Sequence, residues 1–380
     1  MHKIIRTSTV PLSLDLFCRG LLRELSACYE VVALSSPGRE LEAIARREGV
    51  RTIGVPMRRP IAPLHDGVSL LRMIRVFRRE RPQLVHSMTP KAGLLSMIAA
   101  RVAGVPVRVH TFTGLLFPTA TGLRRRLLML ADHWICRCAT QVVAEGEGVR
   151  ADLLQYGITR KPVQVLGYGN VRGIDLACYD RTPEVLARAA EIRTSLGIPE
   201  SGFTFLFVGR FARDKGIEEL VEVFGQLIAE GWDAHLLLVG EEDRSDPLTE
   251  QTRRLLAETP QIRAVGWQED VRPWYAASDA LVFPSHREGF PNCVIEAGAL
   301  GLPSIVTDIN GSREIIRDGE NGRILPPQER PALLGAMREM VADRELARRM
   351  GDRARPLVAA RYEQGFVRGE LKKFYRSILP

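Results

Sequence analysis

The sequence predicts an α/β protein built from two Rossmann-like domains. Short β-rich apolar runs alternate with amphipathic helical stretches, a pattern typical of parallel sheets that carry helices on both faces. The alternation also restarts, because one series of apolar runs ends near residue 145 and another begins at residue 203. A chain of 380 residues is long enough to divide in this way, since single domains typically hold about 100–200 residues.

The predicted elements follow in order along the chain. The first strands are HKIIRT, YEVVAL, VRTIGV, PQLVHS, VRVHTF and TQVVAE, with helices predicted over 13–27, 66–81, 91–103 and 121–138. The second strands are FTFLFVG, AHLLLVG, IRAVG, ALVFP, PSIVTD and GRILPP, and the glycine-rich stretch 165–183 reads as the linker between the two series.

These elements define three segments of the chain. We predict an N-terminal acceptor-binding domain over 1–168, a C-terminal nucleotide-sugar-binding domain over 169–360 and a C-terminal helix over 361–380. An apolar stripe gives this helix a face that can pack back on the first domain; its members are Phe366, Leu371, Phe374 and Tyr375.

Composition and charge narrow the function class. Residues 1–170 hold 25 Lys and Arg against 12 Asp and Glu, a net charge of +13, whereas the remainder carries −5. No nucleic-acid-binding signature is visible, and an anionic membrane surface or a phosphate-bearing ligand fits the basic half equally well. The six cysteines form no zinc-type quartet and are interpreted as small core residues, and no apolar run is long enough to span a bilayer. We therefore expect a protein on the cytoplasmic side of the membrane.

Three loops of the second half carry residues suited to a ligand, because open α/β sheets bind ligands beyond the carboxyl ends of their strands. RFARDKG offers Arg210 and Lys215 beside a helix start, a combination that suits a diphosphate. TDINGSREII supplies Ser312, which either caps the next helix or contacts the ligand.

The third loop, SHREGFPNCVIEAGALGLP, contains two acids eight positions apart. Glu288 lies in the loop itself, before a helix that starts near Pro291 or Asn292. Glu296 falls about one turn into that helix, where a carboxylate can accept hydrogen bonds from both hydroxyls of a ribose.

These residues, in this order from Phe205 to Pro326, resemble the retaining glycosyltransferases of family 4. The resemblance covers nearly the whole chain and implies the GT-B fold, in which two Rossmann-like domains turn their parallel sheets toward an interdomain cleft. It further implies a nucleotide-sugar donor, retention at the anomeric carbon and no metal or other cofactor. The absence of an Asp-x-Asp motif agrees with the last point.

The resemblance also implies roles for residues of the donor site. Glu288 would contact the donor sugar, Glu296 the ribose, and the pair Arg210 and Lys215 the diphosphate. The backbone around Trp267 would meet the base. Asn292 is assigned to the same donor site.

The first half presents candidate acceptor residues after successive strands. His110 ends the VRVHTF strand and is expected to contact the transferred sugar and the transition state, with a structural histidine as the alternative. Lys91 is assigned to an acceptor phosphate, with a solvated helix charge as the alternative. Glu145 is assigned to the acceptor together with Glu147, for which a helix-capping role is the alternative. Two basic amphipathic helices, 70–82 and 122–137, are candidates for contact with the headgroup layer.

The leading hypothesis is a membrane-associated retaining hexosyltransferase. It would extend a polyprenyl-diphosphate-linked glycan in surface polysaccharide biosynthesis, using a UDP-sugar at the inner face of the cytoplasmic membrane. Two alternatives remain: a soluble transferase with a small-molecule or carbohydrate acceptor, and a GT-B-like nucleotide-sugar epimerase. A nucleic-acid-binding protein is disfavoured, because the donor-site residues would then have no role.

Overall fold

The structure, a computed structural model, describes residues 1–58, 60, 62–243 and 246–379 and divides the chain into two compact units. The first unit comprises Met1–Gly173 together with Gly365–Pro380, and the second comprises Ile174–Gln364. The predicted end of the first domain, residue 168, lies five residues before the observed end of this segment at residue 173. The C-terminal helix is predicted from residue 361, whereas the C-terminal segment of the first unit begins four residues later, at residue 365.

The first unit is built on a parallel sheet with the strand order β3-β2-β1-β4-β5-β6-β7. Its strands are β1 (Lys3–Thr7), β2 (Glu30–Ser35), β3 (Arg51–Gly54), β4 (Leu84–Met88), β5 (Val107–Phe112), β6 (Gln141–Ala144) and β7 (Val163–Val165). Its helices are α1 (Pro11–Cys18), α2 (Leu21–Ser26), α3 (Arg39–Glu48), α4 (Pro63–Glu80), α5 (Pro90–Val102), α6 (Gly122–Cys138), α7 (Glu147–Gln155) and, near the end of the chain, α16 (Gln364–Ile378). The strand order reverses between β1 and β4, so the loops after these strands flank the usual ligand position of such a sheet.

The second unit repeats this plan in the order β10-β9-β8-β11-β12-β13, with every pair parallel. Its strands are β8 (Phe203–Val208), β9 (Ala234–Val239), β10 (Ile262–Ala264), β11 (Ala280–Phe283), β12 (Ser304–Thr307) and β13 (Gly322–Leu325). Its helices are α8 (Pro183–Ser195), α9 (Ile217–Ala229), α10 (Glu250–Glu258), α11 (Arg272–Ala276), α12 (Asn292–Ala299), α13 (Ser312–Ile315), α14 (Arg330–Ala342) and α15 (Arg344–Tyr362), with a 3₁₀ turn at Arg213–Lys215. Together the two sheets confirm the predicted fold class of two Rossmann-like domains.

Several predicted elements differ in the structure. The single helix predicted over 13–27 is two helices, α1 and α2, because Gly20 adopts a left-handed φ of 74° between them. Strand β7 falls partly within the stretch interpreted as a linker, where it pairs with β6. The cysteines are not all core residues, since Cys28 and Cys178 are exposed.

Helix α16 packs against the core of the first unit. Leu371, Phe374 and Tyr375 join the apolar cluster beneath β1 and β2, and Lys372 Nζ donates to Glu24 Oε2 at 2.6 Å. Phe366, which was predicted to lie on the apolar stripe, is more than a third exposed. The next residue in the helix, Val367, is buried instead. Among the residues that the structure describes, no helix combines the length and apolarity needed to cross a bilayer.

Candidate active site

In the second unit, the loops after β8 and β11 approach each other closely. Gly216 has a φ of 70°, and a Cβ at this position would lie 2.1 Å from the carbonyl oxygen of Pro284. Only glycine therefore fits here, for both steric and conformational reasons. The contact brings the predicted phosphate loop and the predicted sugar loop together at the switch point of the sheet.

This approach joins two of the predicted donor residues. Lys215 Nζ forms an ion pair with the Glu288 carboxylate, and both side chains are mostly buried. Ser285 Oγ donates to Glu288 Oε1 at 3.0 Å. The ion pair neutralises two opposite charges within a partly dehydrated site. A diphosphate could replace the Glu288 carboxylate as the partner of Lys215, and a sugar hydroxyl could replace Lys215 as the partner of Glu288.

Glu296 lies in the second turn of α12, as predicted, and is 8% exposed. The phenol of Tyr275, which comes from α11, donates to Glu296 Oε2 at 3.1 Å. Burial and the neighbouring Glu296 raise the pKa of Tyr275 well above its ordinary value, so the phenol stays protonated and acts as a donor. Tyr275 fixes one carboxylate oxygen of Glu296.

Sequence reasoning missed Tyr275. The sequence did offer one signal, a tyrosine in a short segment between two predicted strands. A tyrosine that is buried there needs a hydrogen-bond partner for its hydroxyl, which would have indicated a polar group nearby. Which carboxylate it meets depends on the packing of α11 against α12, which no local pattern reveals.

The remaining predicted donor residues lie at the same edge of the sheet. Arg210 follows β8 and forms an ion pair with Asp243, which follows β9. Trp267 follows β10 with 66% of its surface exposed, and Asn292 is the first residue of α12. The predicted set thus lies after the carboxyl ends of three strands of one parallel sheet, β8, β10 and β11.

The loop before α13 corrects one expectation. Gly311, not Ser312, occupies the N-cap position, and its N–H donates to Glu314 Oε1 at 3.2 Å. A Cβ at Gly311 would lie 2.6 Å from Cα of Phe290, so this loop packs directly on the loop that holds Glu288. The Ser312 hydroxyl is buried and finds no hydrogen-bond partner among the described residues, so it does not cap the helix.

In the first unit, His110 lies near the carboxyl end of β5 and is buried. Its Nδ1 is 2.8 Å from Ser87 Oγ on the neighbouring strand β4, and its ring packs edge-on against Phe112 with centroids 4.5 Å apart. Burial lowers its pKa to about 3, so the imidazole is neutral at physiological pH. The ring also presses on α5, because a Cβ at Gly93 would lie 2.3 Å from His110 Cε1.

The two predicted acceptor residues have contrasting environments. Lys91, at the start of α5, contacts the Asp66 carboxylate with distances of 2.8 and 2.9 Å, which neutralises its charge. Glu145 follows β6 and is buried beside a small cavity of about 20 Å³ that His86 also lines. Its carbonyl accepts from the N–H of Asn170 at 2.7 Å. The ammonium group of Lys91 is therefore paired, whereas the bond to Asn170 engages only the backbone of Glu145.

A buried polar cluster that sequence reasoning did not assemble lies beneath this edge of the sheet. Arg6 of β1 lies 2.5 Å from His86 Nδ1 and donates to the Tyr375 hydroxyl at 2.7 Å. His86 Nε2 is 2.7 Å from Thr111 Oγ1. Burial, and then the Arg6 charge, lower the pKa of His86 well below its ordinary value. The cluster ties α16 to the strands that carry the candidate acceptor residues.

Superposition on solved structures supports the assigned fold. The structure of Anabaena HepE, solved in complex with UDP and glucose, superposes with a TM-score of 0.82 at 17% sequence identity and covers 99% of this chain and 100% of that one. Sucrose-phosphate synthase from Thermosynechococcus elongatus superposes with a TM-score of 0.80 at 21% identity over 100% of this chain and 99% of that one.

The sequence comparisons decide the family. Residues 16–169 match the glycosyl transferase 4-like domain, and residues 189–356 match glycosyl transferases group 1. The whole chain is 30% identical to the capsular polysaccharide biosynthesis glycosyltransferase CapM of Staphylococcus aureus, 98% of which is covered. The chain belongs to the GT-B glycosyltransferases.

A second relative of this glycosyltransferase is an Escherichia coli enzyme. It is the UDP-Gal:alpha-D-GlcNAc-diphosphoundecaprenol alpha-1,3-galactosyltransferase, 25% identical over 79% of this chain and 77% of that protein. The glycosyltransferase thus resembles bacterial surface-polysaccharide transferases, as its sequence motifs indicated.

Proposed function

We propose that this glycosyltransferase moves a hexosyl group from a UDP-sugar to a polyprenyl-diphosphate-linked glycan, with retention of the anomeric configuration. The observation that carries the proposal is the convergence of the Lys215–Glu288 pair with the loops around Glu296, at the carboxyl ends of β8 and β11. This arrangement offers a cation for a diphosphate and two carboxylates for hydroxyl groups.

The donor assignment follows from the chemistry of these groups. The Tyr275 hydroxyl fixes the orientation of the Glu296 carboxylate, a group that can accept hydrogen bonds from ribose hydroxyls. Lys215 and Arg210 would exchange their present carboxylate partners for phosphate oxygens. The solved complex of HepE with UDP and the name of the Escherichia coli relative support a uridine nucleotide.

The acceptor assignment has two supports. The Escherichia coli relative is named for a diphosphoundecaprenol-linked acceptor, and CapM for capsular polysaccharide biosynthesis. The first 170 residues carry a net charge of +13, which favours a diphosphate substrate held at an anionic membrane surface. The glycosyltransferase would then act on the inner face of the cytoplasmic membrane.

The proposed mechanism needs positioning and charge stabilisation more than a strong protein base. The acceptor hydroxyl attacks the anomeric carbon from the face that the nucleotide leaves, and the departing phosphate oxygen takes its proton. Lys215 and Arg210 neutralise the charge that develops on the diphosphate, the task that a divalent cation performs in other transferases. Neutral His110 contacts the transferred sugar as a hydrogen-bonding partner.

Calorimetric titration with UDP, with GDP as the control and EDTA throughout, tests the donor site. We expect UDP to bind without metal, Glu296→Ala to weaken that binding, and His110→Ala to lower kcat with UDP affinity retained. Binding of GDP in preference to UDP would replace the donor. If Glu296→Ala bound UDP as tightly as the parent, the ribose assignment would be wrong.

The acceptor is tested separately with a radiolabelled UDP-sugar and candidate acceptors. A product that partitions into butanol with the lipid-linked glycan supports the proposal. Transfer to a water-soluble carbohydrate alone would favour a soluble acceptor, and a changed sugar nucleotide without any acceptor would indicate an epimerase.

A further inference from the structure

An apolar groove runs between α5 and α6 on the outer face of the first unit. It has a volume of about 780 Å³, within the range of about 300–1,000 Å³ that is usual for small-molecule sites. Leu94 and Ile98 form one wall, and Leu127, Leu130 and Trp134 form the other. The last three side chains are each about half exposed, so the groove opens to solvent along α6.

Two guanidinium groups lie at one end of this groove. Arg101 belongs to the last turn of α5 and Arg137 to the last turn of α6, and Arg101 Nη1 donates to the carbonyl of Arg137 at 3.3 Å. The Arg137 guanidinium also stacks 5.7 Å from the centre of the Trp134 ring. Both side chains keep further N–H groups that can bind a phosphate in a bidentate manner.

Arg101 and Arg137, the charged residues named in the groove lining, are both basic. Helices α5 and α6 carry six basic residues and one acid, Asp132, which is buried. This distribution complements an anionic ligand. It also opposes self-association through the groove, because a two-fold contact would bring the arginines of two copies together.

The position of the arginines separates this groove from the acceptor site. Helix α5 starts at the carboxyl edge of the sheet, where His110 and Glu145 lie, and its 13 residues carry the chain away from that edge. At 1.5 Å per residue, the two ends of α5 are about 20 Å apart. Arg101 and Arg137 therefore lie about 20 Å from Lys91, the residue assigned to the acceptor phosphate at the start of α5.

We infer that this groove binds one hydrocarbon chain of an anionic phospholipid, whose phosphate lies against Arg101 and Arg137. Burial of a chain against the leucines and Trp134 supplies affinity in proportion to the apolar area removed from water. The two arginines select an anionic headgroup. The site goes beyond the proposed donor and acceptor and does not depend on either.

The test uses monomeric dihexanoyl phosphatidylglycerol, kept below its micelle concentration, and calorimetry on the whole chain. We expect saturable binding of one lipid per protein, and weaker binding of dihexanoyl phosphatidylcholine by about tenfold, as the loss of a charge-assisted contact predicts. Arg101→Gln with Arg137→Gln should abolish this preference, whereas Leu130→Gln should weaken binding of both lipids.

The matched control is Arg124→Gln with Arg126→Gln, which removes the same charge from α6 outside the groove and should leave the preference unchanged. Equal loss in this control, equal binding of the two lipids by the parent, or no saturable binding would each overturn the inference. A lipid-independent dimer that Leu130→Gln dissociates in sedimentation equilibrium would assign the groove to a second copy instead. UDP binding, measured on the same variants, reports separately on the donor site.

Discussion

Replacing Gly93 by alanine tests whether the position of His110 governs turnover. A Cβ at residue 93 would lie 2.3 Å from His110 Cε1 and 2.8 Å from its Nδ1, whereas an ordinary contact is 3.4–4 Å. Restoring the lower limit requires the ring and α5 to separate by about 1 Å, and a displacement of this size in a reactive site can cost about a hundredfold in rate. The same shift also perturbs the 2.8 Å contact between His110 Nδ1 and Ser87 Oγ.

We therefore expect Gly93→Ala to lower kcat by about a hundredfold. UDP affinity should stay at the parental value, because the predicted nucleotide-binding residues belong to the other unit. The assay is transfer from the UDP-sugar under saturating donor, combined with calorimetry for UDP and a thermal melt to establish that the variant is folded.

Gly67→Ala is the matched control. Gly67 lies in α4, and apart from its chain neighbours and the helix's own backbone, no atom of the described residues lies within 4 Å of the position that a Cβ would occupy there. This substitution should leave kcat unchanged. A folded Gly93→Ala variant with parental kcat would refute the argument that the His110 ring must hold its present position for transfer.

Three further predictions concern buried polar groups. Because the pKa of folded His110 is about 3 against an ordinary value of 6.5, its contribution to stability is complete above pH 6.5 and declines as the pH falls toward 3. The free energy of unfolding, measured in urea, should therefore fall by about 2 kcal/mol between pH 7.5 and pH 5 because of His110. This fall should be absent in His110→Gln. Tyr275→Phe should weaken UDP binding by about tenfold or more, because Glu296 loses the donor that orients it; calorimetry measures this. Tyr375→Phe should lower the free energy of unfolding by about 1–3 kcal/mol in urea titrations, because it leaves the buried Arg6 guanidinium short of an acceptor.

Each of these predictions has an outcome that contradicts it. An identical pH slope in His110→Gln and the parent would mean that another group dominates acid sensitivity. UDP binding that is unchanged in Tyr275→Phe would remove the phenol from the positioning of the ribose acceptor. For the third, Tyr168→Phe at an exposed site is the control, and equal stability changes in both tyrosine variants would show that the buried cluster contributes nothing specific.

Much of the fold could be predicted because the signals are local. The twelve predicted strands all correspond to observed ones, since a fully buried parallel strand is a continuous apolar run such as the five buried residues of β4. Strand β7 has only three residues, one of them exposed, so it leaves no such run. The break between α1 and α2 depends on the conformation of Gly20, and an amphipathic pattern continues across it.

The candidate site could be predicted residue by residue but not as a set of contacts. The acid spacing identified Glu288 and Glu296, yet their partners Lys215 and Tyr275 come from segments 73 and 21 residues away in the chain. The ion pair of Lys91 with Asp66 is non-local in the same sense. Propensity and spacing describe what one segment offers, whereas these pairings depend on which segments the tertiary packing brings together.

Helix α16 makes the first unit discontinuous in sequence, and this has a consequence for synthesis on the ribosome. The first 173 residues emerge together, but the partner that Arg6 finds in Tyr375 is translated only after the second unit. At 5–20 residues per second, the intervening stretch of about 190 residues takes roughly 10 to 40 s to translate. During that interval the nascent first unit exposes the apolar surface that Leu371 and Phe374 later cover. The vulnerable period for aggregation or chaperone capture is therefore set by the length of the second unit.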